Sequence, residues 1–209
     1  FIAEGIRMFG EAPQEKLREV YYSESFLTLL KQGNQAGRSG LTDDRDEGGR
    51  REGALQKLLM CREQGVFVES VSDEVFQKIT DTCTPQGILF VMEQFFYSLE
   101  EMVGQAKDRQ EAGGKMPLFL ILEDIQDPGN LGTMLRTAEG AGASGVILSR
   151  GCVDVYNPKT IRSTMGALYR EPFVYVEGLG QAIALLRQYQ IPVYAAHLKG
   201  RQYFDELSY

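Results

Sequence analysis

The sequence predicts an α/β fold in two parts, a small alternating unit followed by a parallel-sheet domain. Three observations carry this. Short apolar runs recur between stretches of helical periodicity along most of the chain. In the second half each run is followed by a single helical stretch, the spacing of a βαβ series, which sets strands parallel and places ligand chemistry at their carboxyl ends. Between residues 95 and 116 the chain turns charged and apolar-poor, and the domain boundary is placed there.

The elements follow in order. Residues 1–3 read as a strand end and 4–12 as a helix. Residues 17–22 form a strand, 54–64 a helix and 66–69 a strand. Residues 72–79 make a short helix with Ser72 as N-cap, and 87–92 a third apolar strand. Residues 31–53 interrupt the pattern: six glycines, many charges, and only Ala36 and Leu41 as apolar residues. Such a stretch cannot bury enough surface to offset its ordering entropy, so it reads as a flexible surface insertion. The alternative is an RNA-contacting arm using Arg38, Arg45, Arg50 and Arg51, although five acidic residues largely cancel those charges. Residues 99–112 suit a solvated linker helix ending at Gly113-Gly114. Beyond Pro117, residues 118–122 look like a buried parallel strand. A turn at 123–130 leads into a helix over 131–141. Strands at 145–148, 173–176 and 192–196 alternate with helices at 158–164 and 179–189. The resulting division is 1–94, a linker at 95–116, and 117–209.

Composition narrows the function. With 43% apolar and 24% charged residues the chain is ordinary globular protein, and no run nears the roughly 20 apolar residues of a membrane span. Cys61, Cys83 and Cys152 are sparse, odd in number and without metal spacing. They read as core or incidental thiols in a reducing compartment, the cytoplasm. A lone histidine, His197, excludes most zinc sites, and no metal is expected. The formal charge of −7 is a poor global signature for a nucleic-acid binder, but it lies entirely in residues 1–114. Residues 115–209 carry nine basic and nine acidic side chains, and 145–175 turn net basic through Arg150, Lys159, Arg162 and Arg170.

Two segments could carry chemistry. In Asp127-Pro-Gly-Asn-Leu-Gly-Thr-Met-Leu-Arg136, Pro128 and Gly129 make a tight turn after a buried strand, and Asn130 sits where a helix N-cap belongs. Taken generically, this is an anion-attracting helix N-terminus; the plain alternative is a βα turn with a surface arginine. The spacing is not that of a dinucleotide-binding loop. In the second, Asn157-Pro-Lys159-Thr-Ile-Arg162-Ser-Thr164-Met-Gly166, Asn157 can cap a helix whose first residue is Pro158. Lys159 and Arg162 then share a face, suited to phosphates or simply to water.

Together these segments resemble the SpoU/TrmH family of RNA ribose methyltransferases, in the SPOUT superfamily. Asn130, Gly132 and Arg136 match its Asn-x-Gly-x-x-x-Arg motif. The second segment matches the following Asn-Pro-Lys stretch, with Thr164 where the family usually has Ser. Phe1-Ile-Ala-Glu-Gly5 resembles the opening of the family's small, ribosomal-protein-like RNA-substrate-binding domain, and Asp81-Thr-Cys-Thr-Pro-Gln-Gly resembles the segment that closes it.

The resemblance implies methyl transfer from S-adenosyl-L-methionine to a ribose 2′-hydroxyl, with alignment of nucleophile and methyl group as the main protein contribution. Arg136 is the residue nearest the hydroxyl. Because guanidinium stays protonated, a clamp or oxyanion role suits it better than that of base. Asn130 would position Arg136 or the ribose, and Lys159, Arg162 and Thr164 would meet RNA. Ala195, Ala196 and His197 would begin one wall of the cofactor pocket, which in the family lies in a carboxyl-terminal knot. The family's Gly-x-Glu-Gly and Ser-Leu-Asn segments do not occur here. On this reading the chain is a piece of a longer protein, the alternative being a natural truncation. Alone it is expected to be inactive and to hold the cofactor weakly, whereas the full-length protein is expected to be a homodimer. Ribosomal RNA is preferred to transfer RNA as substrate. Two other functions compete: a non-catalytic RNA-binding or assembly protein on the same scaffold, and an unrelated nucleotide-binding α/β protein, which the missing phosphate-loop spacing weakens.

Overall fold

A computed structural model describes residues 1–33 and 44–200, with 203 and 206. The first unit is a four-stranded sheet in the order β1 (Ile2–Glu4), β4 (Ile88–Met92), β2 (Leu17–Ser23), β3 (Phe67–Val71). β4 runs antiparallel to both neighbours, while β2 and β3 are parallel. Its central place explains the continuous apolar run of the sequence, for Ile88, Leu89, Phe90 and Met92 are all buried. Among the described residues four α-helices accompany the sheet: α1 (Ile6–Glu11), α2 (Glu24–Gly33), α3 (Asp44–Glu63) and α4 (Asp73–Ile79). Ser72 caps α4 as expected, accepting from the Val75 amide at 3.3 Å.

Two expectations change in this unit. The first helix starts at Ile6, because Gly5, at φ +104°, turns the chain out of β1; a Cβ there would stand 2.9 Å from Gln86 Oε1. The insertion expected over 31–53 is partly helical: residues 44–53 are the first turns of α3, and 34–43 lie outside the described residues, with Ala36, Arg38 and Leu41. Ala54, Leu58 and Cys61, one helical stripe, are buried and anchor α3. Once that stripe nucleates the helix, extending it toward the amino end costs little per residue. The helix α2, with Phe26 and Leu30 buried, was not anticipated.

The second unit is a parallel sheet in the order β5 (Phe119–Leu122), β6 (Gly145–Ser149), β7 (Phe173–Val176). β6 is central, and its alternating side chains feed two cores. Val146 and Leu148 join Leu131, Leu135 and Ala138 of α6 (Pro128–Ala141) and Ile161 of α7 (Pro158–Thr164). Ile147 joins Leu99, Met102 and Val103 of α5 (Leu99–Glu111) and Ala182 and Leu186 of α8 (Leu179–Gln188). The helix read as a solvated linker is therefore a covering helix of the parallel sheet; its buried stripe was masked by its many charges. Residues 192–196 form no strand. Pro192 cannot donate to a ladder, and Ile191 and Val193 instead pack against the α5–α8 core.

The two units share one core. Phe1 meets Tyr156 at 4.7 Å between ring centroids, Phe95 meets Tyr169 at 6.3 Å, and Tyr97 meets Phe173 at 5.9 Å. The Tyr156 hydroxyl accepts from Phe95 N at 2.6 Å and donates to Phe95 O at 3.1 Å, pinning the chain where it crosses between units. Among the described residues no helix is long and apolar enough to cross a membrane.

Candidate active site on the α6–α7 pair

The helix α6 begins at the carboxyl end of β5, one residue before which Asp127, not Asn130, is the N-cap. Its Oδ1 accepts from the Asn130 amide at 2.7 Å, with Pro128 in the first helical position. Proline's fixed φ starts the helix early and moves Asn130 into its first turn. The Asn130 amide, followed by Lys159, holds the Asp127 carboxyl below the usual carboxylate range. Lys159 Nζ lies 3.5 Å from Asp127 Oδ2, so the two sequence motifs touch. Asn157 caps α7 as expected, its Oδ1 accepting from the Lys159 amide at 2.9 Å.

Gly132 makes this contact possible. A Cβ on it would fall 2.4 Å from Ser163 Cβ and 2.7 Å from the Thr160 carbonyl oxygen, distances real atoms do not adopt. Only glycine lets α7 pack this closely on α6. Met165 caps the end of α7 in the left-handed region, and Gly166 follows at φ +93°, where a Cβ would collide with the Glu11 carboxylate of the first unit. The glycines of the two motifs therefore set the distances between elements.

Arg136, Asn130, Lys159 and Arg162 are all exposed. Arg136 stands one turn beyond Gly132 and makes no hydrogen bond or ion pair with any described residue. Asn130 and Arg136 do not bond to each other: six residues apart, they stand about 120° apart around the helix. Thr164 is placed in the interior, with 0% exposure and its hydroxyl donating to Ile161 O at 2.7 Å, and so offers nothing to RNA. Ala195, Ala196 and His197 are exposed on irregular chain, with His197 Nδ1 accepting from the Lys199 amide at 3.0 Å. Among the described residues these three side chains enclose no cavity on their own. Cys61 and Cys152 are buried free thiols and Cys83 an exposed one.

Sequence reasoning missed a cluster behind the α6–α7 pair. Arg170 reaches Glu11 at 2.7 Å and also pairs with Glu139, tying the first unit to α6. Next to it Glu171 is buried, and burial, with the negative charge of Glu139, pushes its carboxyl up to about 7. A glutamate preceding a proline at the start of an apolar run was the available signal.

Residues 117–209 match the model of the SpoU rRNA Methylase family. The chain is 38% identical over 120 residues to the human mitochondrial rRNA methyltransferase 3, covering 57% of this chain and 27% of that protein. It is 32% identical over 145 residues to the 23S rRNA (guanosine(2553)-2'-O)-methyltransferase of Bacillus subtilis, covering 69% and 52%. The chain thus spans about half or less of the length of these relatives. A crystal structure of an rRNA methyltransferase from Sinorhizobium meliloti shares the fold at TM-score 0.66 and 24% identity, covering 100% of this chain and 66% of that one. An AdoMet-bound rRNA methyltransferase structure from Sinorhizobium meliloti aligns at TM-score 0.60, with 24% identity over 91% and 57% of the two chains.

Proposed function

We propose, because residues 117–209 match the SpoU rRNA Methylase family, that the whole protein methylates a ribose 2′-hydroxyl of ribosomal RNA with S-adenosylmethionine as donor. The observation that carries this is the Gly132 joint, which packs α7 on α6 and gathers Asn130, Arg136, Lys159 and Arg162 on one helix pair at the carboxyl end of a parallel strand. When bound, the cofactor supplies a methyl group already activated on sulfonium. What remains for the protein is to orient the hydroxyl and hold the charge that develops on it. Arg136 suits that task, since its fork of donors is free of protein partners among the described residues and open to solvent. Asn130 holds the ribose, and Lys159 and Arg162 hold flanking phosphates. We place the protein in the cytoplasm, as a homodimer; the human relative carries the name of a mitochondrial enzyme.

The test is methyl transfer to ribosomal RNA by the full-length protein. Arg136→Ala should lower turnover about 100-fold or more, and Arg136→Lys nearly as much, because lysine lacks the fork. Unchanged turnover in both variants removes Arg136 from the mechanism. RNA binding without any methyl transfer by the unaltered protein would favour the non-catalytic reading.

A further inference from the structure

The proposed function turns on the Arg136 guanidinium, yet its own helix holds a carboxylate placed to neutralise it. Glu139 is the single acidic residue of α6 and follows Arg136 by three positions. Side chains at that spacing stand about 60° apart around a helix and are neighbours on its surface. Arg136 nevertheless makes no hydrogen bond or ion pair with a described residue. Glu139 is instead taken by Arg170, in the turn before β7. The Arg170 Nε donates to Glu139 Oε1, while its Nη1 donates to Glu11 Oε2 at 2.7 Å. One guanidinium fork thus spans α1 of the first unit and α6 of the second. Arg7 holds the same Glu11 from one turn away on α1, at 3.1 Å. Gly166 gives that carboxylate its room, for a Cβ there would stand 2.3 Å from Glu11 Oε2. Arg170 is therefore committed to two carboxylates, and the net basic count of residues 145–175 overstates the cations open to RNA.

We infer that Arg170 is a positioning residue for methyl transfer: it withdraws Glu139 from Arg136 and so leaves the Arg136 fork open to substrate. Once released, Glu139 closes on Arg136, and an exposed ion pair of this kind holds its partner back up to about 5-fold. The freed carboxylate also sets a negative charge beside the oxygen on which negative charge develops. The hold reaches across the joint, because Glu11 fixes the other side of the Arg170 fork. Arg136 is kept open only while the first unit is docked on the second. This rests on the methyltransferase reading and adds what keeps its central side chain available.

The test is a double-mutant cycle on the full-length protein, read as turnover on ribosomal RNA at pH 8, above the range in which Glu171 titrates. Arg170→Gln should lower turnover about 5-fold. Glu139→Gln should leave it within about twofold of the unaltered protein, because Arg136 stays open and Arg170 keeps Glu11. Arg170→Gln combined with Glu139→Gln should restore turnover to that same level, since α6 then has no carboxylate to close on Arg136. If Arg170 only holds the two units together, the double variant, lacking both partners, is no more active than Arg170→Gln. That result overturns the inference, as does unchanged turnover in Arg170→Gln. A second measurement is independent of catalysis. Side-chain nitrogen NMR should show slower proton exchange at Arg136 Nε in Arg170→Gln than in the unaltered protein, and the original rate in the double variant. Equal exchange in all three proteins overturns the inference while leaving methyl transfer standing. If the unaltered protein methylates no RNA, the methyltransferase reading falls and takes the positioning role with it, whatever the exchange rates.

Discussion

Glu171 shows how one residue can tie stability to pH. It is 3% exposed, and its Oε1 has no hydrogen-bond partner among the described residues. Burial and the nearby Glu139 raise its carboxyl from 4.5 to about 7. A raised acid binds its proton more tightly in the folded chain, so from about pH 4.5 to about pH 7 the native state holds more protons than the unfolded one. Stability therefore falls across that window and levels off above it. Glu171→Gln removes the titration while keeping the shape. It should add about 3 kcal/mol at pH 8 and little at pH 4.5, read from urea unfolding at both values. Identical pH dependence in the two proteins would mean that Glu171 is ionised and satisfied in the fold. Asp127 works in the opposite sense: its carboxyl, held down by the Asn130 amide and Lys159, contributes above the unfolded value and is lost as pH falls through its own.

At the scale of elements, the α6–α7 pair depends on an atom that is missing. Gly132→Ala places a methyl group against Ser163 Cβ and the Thr160 carbonyl, and the carbonyl, being backbone, cannot swing away. Alanine's better helix propensity recovers up to about 1 kcal/mol, so a net loss of about 1–3 kcal/mol is expected from overpacking, measured by denaturant midpoint. Methyl transfer by the full-length variant should fall further than stability does, since α7 carries Lys159 and Arg162 away from α6. A neutral Gly132→Ala would show that the pair is not tightly docked. Much of this pair was legible in the sequence, because caps and prolines act locally: Asn157-Pro158 starts α7 where expected. Asn130 was misread as the cap since a capping side chain and a first-turn asparagine look alike until Pro128 is given its position at the start of the helix. Thr164, which the resemblance places at RNA, is buried, and only packing reveals that it faces inward. Strand pairing was the least legible. The apolar run at 192–196 has the composition of a strand but no ladder, a property of neighbours distant in sequence.

At the scale of the molecule, the sequence suggested two domains joined by a solvated linker, and the linker reading failed for a physical reason. Charge density on α5 and around it hid a stripe of Leu99, Met102, Val103 and Ala106, all buried. Aromatic residues just upstream, Phe95 and Tyr97, enter the joint itself. One apolar cluster runs unbroken from Ala3 and Phe90 of the first sheet to Val146 and Phe173 of the second. Separate domains meeting through a polar, modest interface would melt independently; units sharing a core should not. Hydrogen exchange in graded urea should therefore give the same midpoint for amides of β4, residues 88–92, and of β6, residues 145–149. Phe95→Ala, which opens a gap between Phe1, Tyr97 and Tyr169, should cost about 2–3 kcal/mol and split that midpoint in two. Two midpoints already present in the unaltered chain would show that the aromatic joint is an ordinary contact between independent bodies.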